Sequence, residues 1–192
     1  ERFTDWSDCG GMPLASSFPA PCLPAPARRG AVRACRDSLK ILVLSVGRPD
    51  RIRFGPMFDE YAERIRRFGV TFDARWVPEV RITSRYSDAH VRTREGEALR
   101  EALPDRSNVV ALASDAEALS SGAFATRLER WSHPQVAFIV GGPLGLDPSF
   151  KESARSALSL SPMTLPHELA RVVLAEQVFR ALTILRGVPY HK

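Results

Sequence analysis

The run Val136-Ala137-Phe138-Ile139-Val140, passing directly into Gly141-Gly142-Pro143-Leu144-Gly145, constrains the fold of this chain more than any other stretch. Five apolar residues in succession, with no polar alternate, describe a strand covered on both faces. Such strands belong to parallel sheets held between helices. The glycine pair at the carboxyl end of the strand lets the backbone approach a ligand closely, at the edge where open α/β sheets bind theirs. A tight turn whose glycines serve only backbone geometry is the plainer alternative. No Gly-Lys-Ser/Thr follows, so this is not a phosphate loop, and it is not GxGxxG.

The rest of the chain repeats the alternation. Residues 39–46 form an apolar run closed by Gly47, and residues 109–113 form another. Val70, Phe72, Ala74 and Trp76 alternate with polar residues, as in a strand with one covered face. Phe58, Tyr61, Ile65 and Phe68 recur at helical spacing before Gly69. A polar loop, 81–94, leads into a helix over 94–103. Ser120 or Ser121 caps a helix carrying Phe124, Leu128 and Trp131. Residues 148–157 read as a short helix and 158–161 as a last short strand. A long helix follows Pro166 and ends near Arg186, before Gly187 and Pro189. Strands alternating with helices predict an α/β domain with a largely parallel sheet.

The first 37 residues differ from the remainder. They carry five prolines, and from Met12 to Arg36 there are four arginines and no acid. This composition predicts a disordered or leader-like tail, 1–37, ahead of a folded domain, 38–192. An arginine- and serine-rich, acid-poor leader also resembles an organellar transit peptide. A disordered extension, or a start assigned too far upstream, is the duller account. All three cysteines, Cys9, Cys22 and Cys35, fall in this tail, with no CxxC pair among them. They read as incidental thiols rather than a disulfide frame or a zinc site. No apolar run approaches the ~20 residues a membrane span needs. The net charge of +5 suits an anionic partner such as nucleic acid, though the excess is modest.

Two further segments could carry chemistry. In Leu160-Ser161-Pro162-Met163-Thr164-Leu165-Pro166-His167, the two prolines stiffen a loop that can present backbone groups to a flat ring. The same residues could simply start the long helix, with Thr164 or its successor as the cap and Pro166 in the first turn. That helix carries one apolar stripe through Ala170, Val173, Leu174, Gln177, Val178, Ala181 and Leu185. A second runs through Leu169, Val172, Phe179 and Leu182, so the helix is expected to be covered on both sides. The second cover is either a partner subunit or the rest of a monomer core. The embedded Arg171, Glu176 and Arg180 need partners if buried. A zinc reading of His167-Glu168 fails because HExxH would need histidine where Arg171 stands, and no metal is expected. There is no GxSxG elbow. At the C-terminus Tyr190 could stack on a base and His191 could exchange protons. Arg81, Arg85, Arg92 and Arg94 could touch phosphates or form a solvated face.

Taken together, four phrases carry a resemblance: Phe138 to Gly145, Ser159 to His167, Arg171 to Ala181, and Pro189-Tyr190-His191-Lys192. In wording, order and spacing they resemble the ribosomal large-subunit pseudouridine N3-methyltransferase family of the SPOUT superfamily. The likeness covers about Leu39 to Lys192 and is strongest after Val136. It implies a SPOUT-type parallel sheet flanked by helices with a C-terminal trefoil knot, and a homodimer. It implies S-adenosyl-L-methionine as cofactor, held by Leu112 and Ala113, by Gly141, Gly142 and Pro143, and by Leu160, Ser161, Pro162, Met163, Thr164, Leu165 and Pro166. Its substrate class is a pseudouridine in large-subunit rRNA, on assembled ribosomes in the cytoplasm, or in an organelle if the tail is a transit peptide. Ser114-Asp115-Ala116 departs from the more acidic, glycine-containing turn expected there.

The reaction needs N3 of the pseudouridine to lose its proton and the resulting anion to be stabilised. Arg171 is the candidate for the stabilising cation. His167, and Tyr190 with His191 from a partner's tail, are the candidates for positioning the base or removing the proton. A ribosome- or RNA-binding factor of the same fold, without activity, is the rival reading.

Overall fold

The computed structural model describes residues 39–190. The tail assigned to 1–37, and His191 with its proposed role, lie outside the described residues. Five strands and five helices follow one another as β1 (Lys40–Val46), α1 (Gly55–Arg66), β2 (Thr71–Val77), α2 (Asp88–Ala102), β3 (Asn108–Leu112), α3 (Ser121–Trp131), β4 (Val136–Val140), α4 (Pro148–Ser153), β5 (Ser156–Leu158) and α5 (His167–Arg186). The strands form one parallel sheet in the order β2-β1-β4-β3-β5.

Side-chain alternation divides β1 and β4 between two cores. Ile41, Val43, Val136, Phe138 and Val140 face α1, α3 and α5, where they meet Ile65, Phe124, Leu128, Leu174 and Val178. Leu42, Leu44, Val46, Ala137 and Ile139 face the other side, against Leu99 of α2 and Phe150 of α4. All five residues of β4 are buried, as its unbroken apolar run requires. β2 is an edge strand, and only Phe72 and Val77 of it are buried.

Four boundaries depart from the sequence reading. Helix α2 starts at Asp88 rather than Arg94, because the Ser87 hydroxyl accepts from the His90 N–H at 3.2 Å and caps it. Its buried face holds Val91, Glu95, Gly96 and Leu99, too few apolar residues to announce a helix. Helix α4 stops at Ser153, and β5 occupies Ser156–Leu158 instead of 158–161. Beyond Leu158 the chain is captured elsewhere: the Ser159 N–H donates to Glu117 O at 2.9 Å, and its hydroxyl to Ser114 O at 3.2 Å.

Helix α5 begins at His167, with Pro166 as the residue preceding it, so neither Thr164 nor Leu165 caps it and no side chain does. Its division into two apolar stripes does not hold. Val172, Leu174, Ala175, Val178, Ala181 and Leu182 are buried together, while Leu169, Ala170, Val173, Phe179 and Leu185 are half-buried. The embedded charges find partners within the chain. Arg171 donates to Glu168 and to Ser45, and Arg180 to Glu176. Gly187, at φ +64°, closes the helix in the left-handed conformation.

Candidate functional site

A cleft of about 680 Å³ opens where the carboxyl ends of β3 and β4 meet the β5–α5 loop. That volume lies within the range of small-molecule sites. Leu112 and Ala113 form one wall, Gly141, Gly142 and Pro143 a second, and Leu160, Ser161, Met163, Thr164, Leu165 and Pro166 a third. His167 and Ala170, from the first turn of α5, complete it. Pro162 is exposed and does not line the cleft. Apolar side chains and backbone make up most of the walls, and Ser114, Asp115, Lys151, Ser161, Thr164 and His167 supply hydrogen-bonding side chains.

Each wall is tied down. Ala113 N–H donates to Leu158 O at 3.1 Å, which joins the β3 end to the β5 end. The Ser161 hydroxyl accepts from the Met163 N–H at 3.0 Å and fixes the bend of the third loop. The glycine turn closes on itself through Gly145 N–H to Gly142 O at 3.0 Å, and Gly145 has φ +79°. The two preceding glycines are required by what lies behind them. A Cβ at Gly141 would stand 2.8 Å from Gly145 C and 2.9 Å from Leu146 N, and one at Gly142 would stand 2.9 Å from a carboxylate oxygen of Glu95. The turn is thus pressed against its own backing, which leaves its front free to line the cleft.

Glu95 did not stand out in the sequence. It is only 3% exposed, accepts from the Val80 N–H at 3.1 Å through Oε1, and holds an Oε2 without any partner. Burial pushes its carboxyl above the usual glutamate range, opposed by the Val80 N–H and aided by Glu79. A helix read only from Arg94 omits Val91, which forms the covered face with Glu95 and Leu99, and a lone glutamate among charged neighbours gives no sign of burial. Asp147, also buried, caps α4 through the Phe150 N–H and accepts from Thr93 of α2. The hydrogen bond from Ser149 is the main reason its carboxyl lies below the usual aspartate range. At the cleft mouth Lys151 pairs with Asp115, in the turn that departs from the expected pattern.

The candidates for chemistry are divided by the structure. His167 lies in the cleft, half-buried, with Nε2 3.7 Å from Glu168. Arg171 does not line it. It is 6% exposed, donates to Ser45 Oγ at 3.0 Å and to Glu168 Oε1 at 2.8 Å, and belongs to the wall of a second cleft on the other side of the α5 turn. Burial lowers the affinity of its guanidinium for the proton, with Glu168 acting in the opposite sense. Tyr190 turns back onto its own α5. Its ring meets Phe179 edge-on at 4.8 Å, Arg180 lies over it, and its hydroxyl donates to Glu176 at 3.3 Å. Burial, helped by Tyr61 and Glu176, pushes its pKa up to about 12. In this position Tyr190 keeps its proton near neutrality and lies outside the cleft of its own chain. Arg81 and Arg85 are exposed, Arg92 is half-buried, and Arg94 pairs with Glu97 at 3.5 Å on a solvated helix face.

Comparison with known proteins gives a family model described as predicted SPOUT methyltransferase, matching residues 39–191. Among similar curated proteins is the ribosomal RNA large subunit methyltransferase H of Anaeromyxobacter sp. (strain Fw109-5), 42% identical over 156 residues, covering 80% of this chain and 100% of that one. The protein of the same name from Anaeromyxobacter dehalogenans (strain 2CP-C) is 43% identical over 156 residues, with the same coverage. That from Limosilactobacillus fermentum (strain NBRC 3956 / LMG 18251) is 37% identical over 160 residues, again covering 80% and 100%.

Proposed function

This chain belongs to the SPOUT methyltransferase family, among the ribosomal RNA large subunit methyltransferases H, and on that premise we propose that it methylates N3 of a pseudouridine in large-subunit rRNA. It is a methyltransferase, and S-adenosylmethionine is the methyl donor of its family. The observation that carries the reading to this chain's own residues is the convergence of three loops, distant in sequence, on one cleft of suitable size. The residues there fit the donor. Leu112, Leu160 and Leu165 would hold it through apolar side chains, and the glycine turn and the proline loop through backbone groups. When bound, the donor supplies an electrophilic methyl on a sulfonium.

The chain's own residues supply the remaining requirements. The tied loops hold the cleft in one shape before a ligand arrives, which lowers the ordering cost of binding. His167 stands at the cleft wall as the group able to position the base or accept its proton. Arg171 braces the α5 turn that carries His167, through Glu168 and Ser45. Its place outside the cleft favours positioning over direct stabilisation of the uridine anion. Tyr190 lies outside the cleft of its own chain, so the roles proposed for Tyr190 and His191 belong to a homodimer. The half-buried Leu169 and Val173 of α5, which join neither core cluster, support such a dimer. The trefoil knot, the assembled ribosome as substrate and a cytoplasmic location belong to the same reading. Among the described residues no helix is long and apolar enough to cross a membrane.

Transfer of labelled methyl from S-adenosylmethionine to naked rRNA, isolated large subunits and joined ribosomes, all lacking the modification, tests the proposal. Label on a single large-subunit pseudouridine, chiefly in joined ribosomes, is expected. No label from a folded dimer that still binds ribosomes would leave the inactive binding factor as the better account.

A further inference from the structure

The second cleft, of about 560 Å³, lies at the carboxyl ends of β1 and β2 on the side of the sheet covered by α1 and α5. Its floor follows from strand register. Val43 pairs with Ala74 and Ser45 with Trp76, and these four point to one face. Lower on the same face, Phe72 is covered by Phe58, ring centroids 5.9 Å apart. Helix α1 begins only at Gly55 and does not extend over Ala74 and Trp76, so the indole remains 46% exposed on an otherwise ordered strand. The roof is the 49–54 segment, and the end wall is Glu168 and Arg171 of α5.

The charges of this cleft are unequal. Glu168 is satisfied by Arg171 and by the Asp50 N–H, so that pair adds little net field. Asp59 is the other acid. Against it stands Arg51, which makes no hydrogen bond or ion pair with any described residue, while Arg75, between Ala74 and Trp76 on β2, points by alternation to the opposite face with Leu44. Exposed Arg48 adjoins Pro49 in the roof. An exposed indole beside a guanidinium that has no partner among the described residues is an arrangement that receives an unpaired nucleobase with its phosphates. The cleft also shares a wall with the donor cleft: Arg171 faces one and His167, one helical turn earlier, faces the other.

We infer that this second cleft is an RNA subsite, in which Trp76 stacks on an unpaired base of the substrate strand while Arg51, from the roof, contacts its phosphates. The inference rests on the rRNA methyltransferase reading and adds to it where the strand runs: past the end of β2, around the first turn of α5, to the donor cleft.

The test uses the full chain with unmodified ribosomes and a short single-stranded RNA from the substrate region. Trp76→Ala should weaken binding of both about 5- to 100-fold, the range that loss of one stacked base gives. Trp76→Phe should retain most of it. Arg51→Ala should flatten the salt dependence of binding to the single strand by about 0.7 in logarithmic slope, the value for one phosphate contact. Trp76→Ala and Arg51→Ala should raise KM for ribosomes, and all variants should leave S-adenosylmethionine affinity, measured by calorimetry, unchanged. Quenching of the Trp76 fluorescence by the RNA should vanish in Trp76→Phe. Unchanged RNA affinity and salt slope would overturn the inference. So would a shift of Trp76→Ala from dimer to monomer in sedimentation with RNA binding intact, since a second copy would then be the occupant. Either result with methyl transfer preserved would leave the methyltransferase proposal standing, whereas absence of transfer by the unsubstituted protein would remove that proposal itself.

Discussion

Replacing Gly142 by alanine would place a methyl group 2.9 Å from Glu95 Oε2, 3.1 Å from Val46 Cγ1 and 3.3 Å from Glu95 Oε1. All three atoms belong to side chains, so the clash can be relieved partly by their retreat. Overpacking of this kind costs about 1–3 kcal/mol. If the turn rather than Glu95 yields, the same energy appears as lost donor affinity, about tenfold for each 1.4 kcal/mol. Gly141→Ala differs in kind, because its neighbours at 2.8 and 2.9 Å are the backbone of Gly145 and Leu146. There the turn must open, and the loss should exceed that of Gly142→Ala. Glu95→Ala should restore the Gly142→Ala protein and leave Gly141→Ala unrepaired. By itself Glu95→Ala strands the Val80 N–H, at about 1–3 kcal/mol, so the comparison is a double-mutant cycle. Calorimetric titration with S-adenosylmethionine and thermal melts of the four proteins measure it. A coupling energy near zero, or a Gly141→Ala protein as sound as Gly142→Ala, would refute the claim that the turn is shaped from behind.

Three further outcomes are expected. Burial raises the Glu95 carboxyl above its unfolded value, so the folded state holds the proton more tightly and stability falls as pH rises from the unfolded value through the raised one. Glu95→Gln should therefore be relatively more stable at pH 8 than at pH 4 compared with the parent, and parallel melting curves across that range would contradict this. Asp147 has the opposite sign: its lowered carboxyl stabilises above the unfolded value and loses that contribution as pH falls through the folded one. Asp147→Ala should cost about 1–2 kcal/mol at neutral pH from loss of the α4 cap, read by urea denaturation, and progressively less as pH falls below the usual aspartate range. Arg171→Ala should cost about 3 kcal/mol by leaving the half-buried Glu168 uncompensated. Glu168→Gln in that background should recover stability, and recovery of single-turnover methylation with it would identify Arg171 as a positioning residue, whereas a persistent rate loss would place it in the chemistry.

The sheet was legible because β1, β3 and β4 are buried on both faces, and a strand in that position has only apolar residues to offer. The cleft was legible for a related reason. Its three walls carry local signals, a glycine pair after a strand and two prolines before a helix, that report backbone shape directly. Helix α2 was half hidden, since its covered face includes Glu95 and Gly96, neither of which registers as apolar periodicity. Its start depended on the Ser87 cap, one serine among several polar residues in that stretch. The position of Arg171 was beyond sequence reasoning. A cation one turn into a helix beside a ligand loop can point to either side of it, and only packing against Ser45 of β1 decides which.

That placement makes the first turn of α5 the hinge of the functional argument. Glu168 holds the Asp50 N–H of the β1–α1 segment and the Arg171 guanidinium, while Arg171 holds Ser45 in β1. Through these bonds one helical turn joins the segment roofing the RNA cleft to the histidine lining the donor cleft. Methyl transfer requires nitrogen, methyl and sulfur to be aligned, and misplacement by a fraction of an ångström is costly. A rigid element touching both ligands supplies that alignment with no mobile domain. On this view the ion pair at its centre is retained for geometry, because an apolar pair of equal volume would stabilise the fold as well but would fix neither Asp50 nor Ser45.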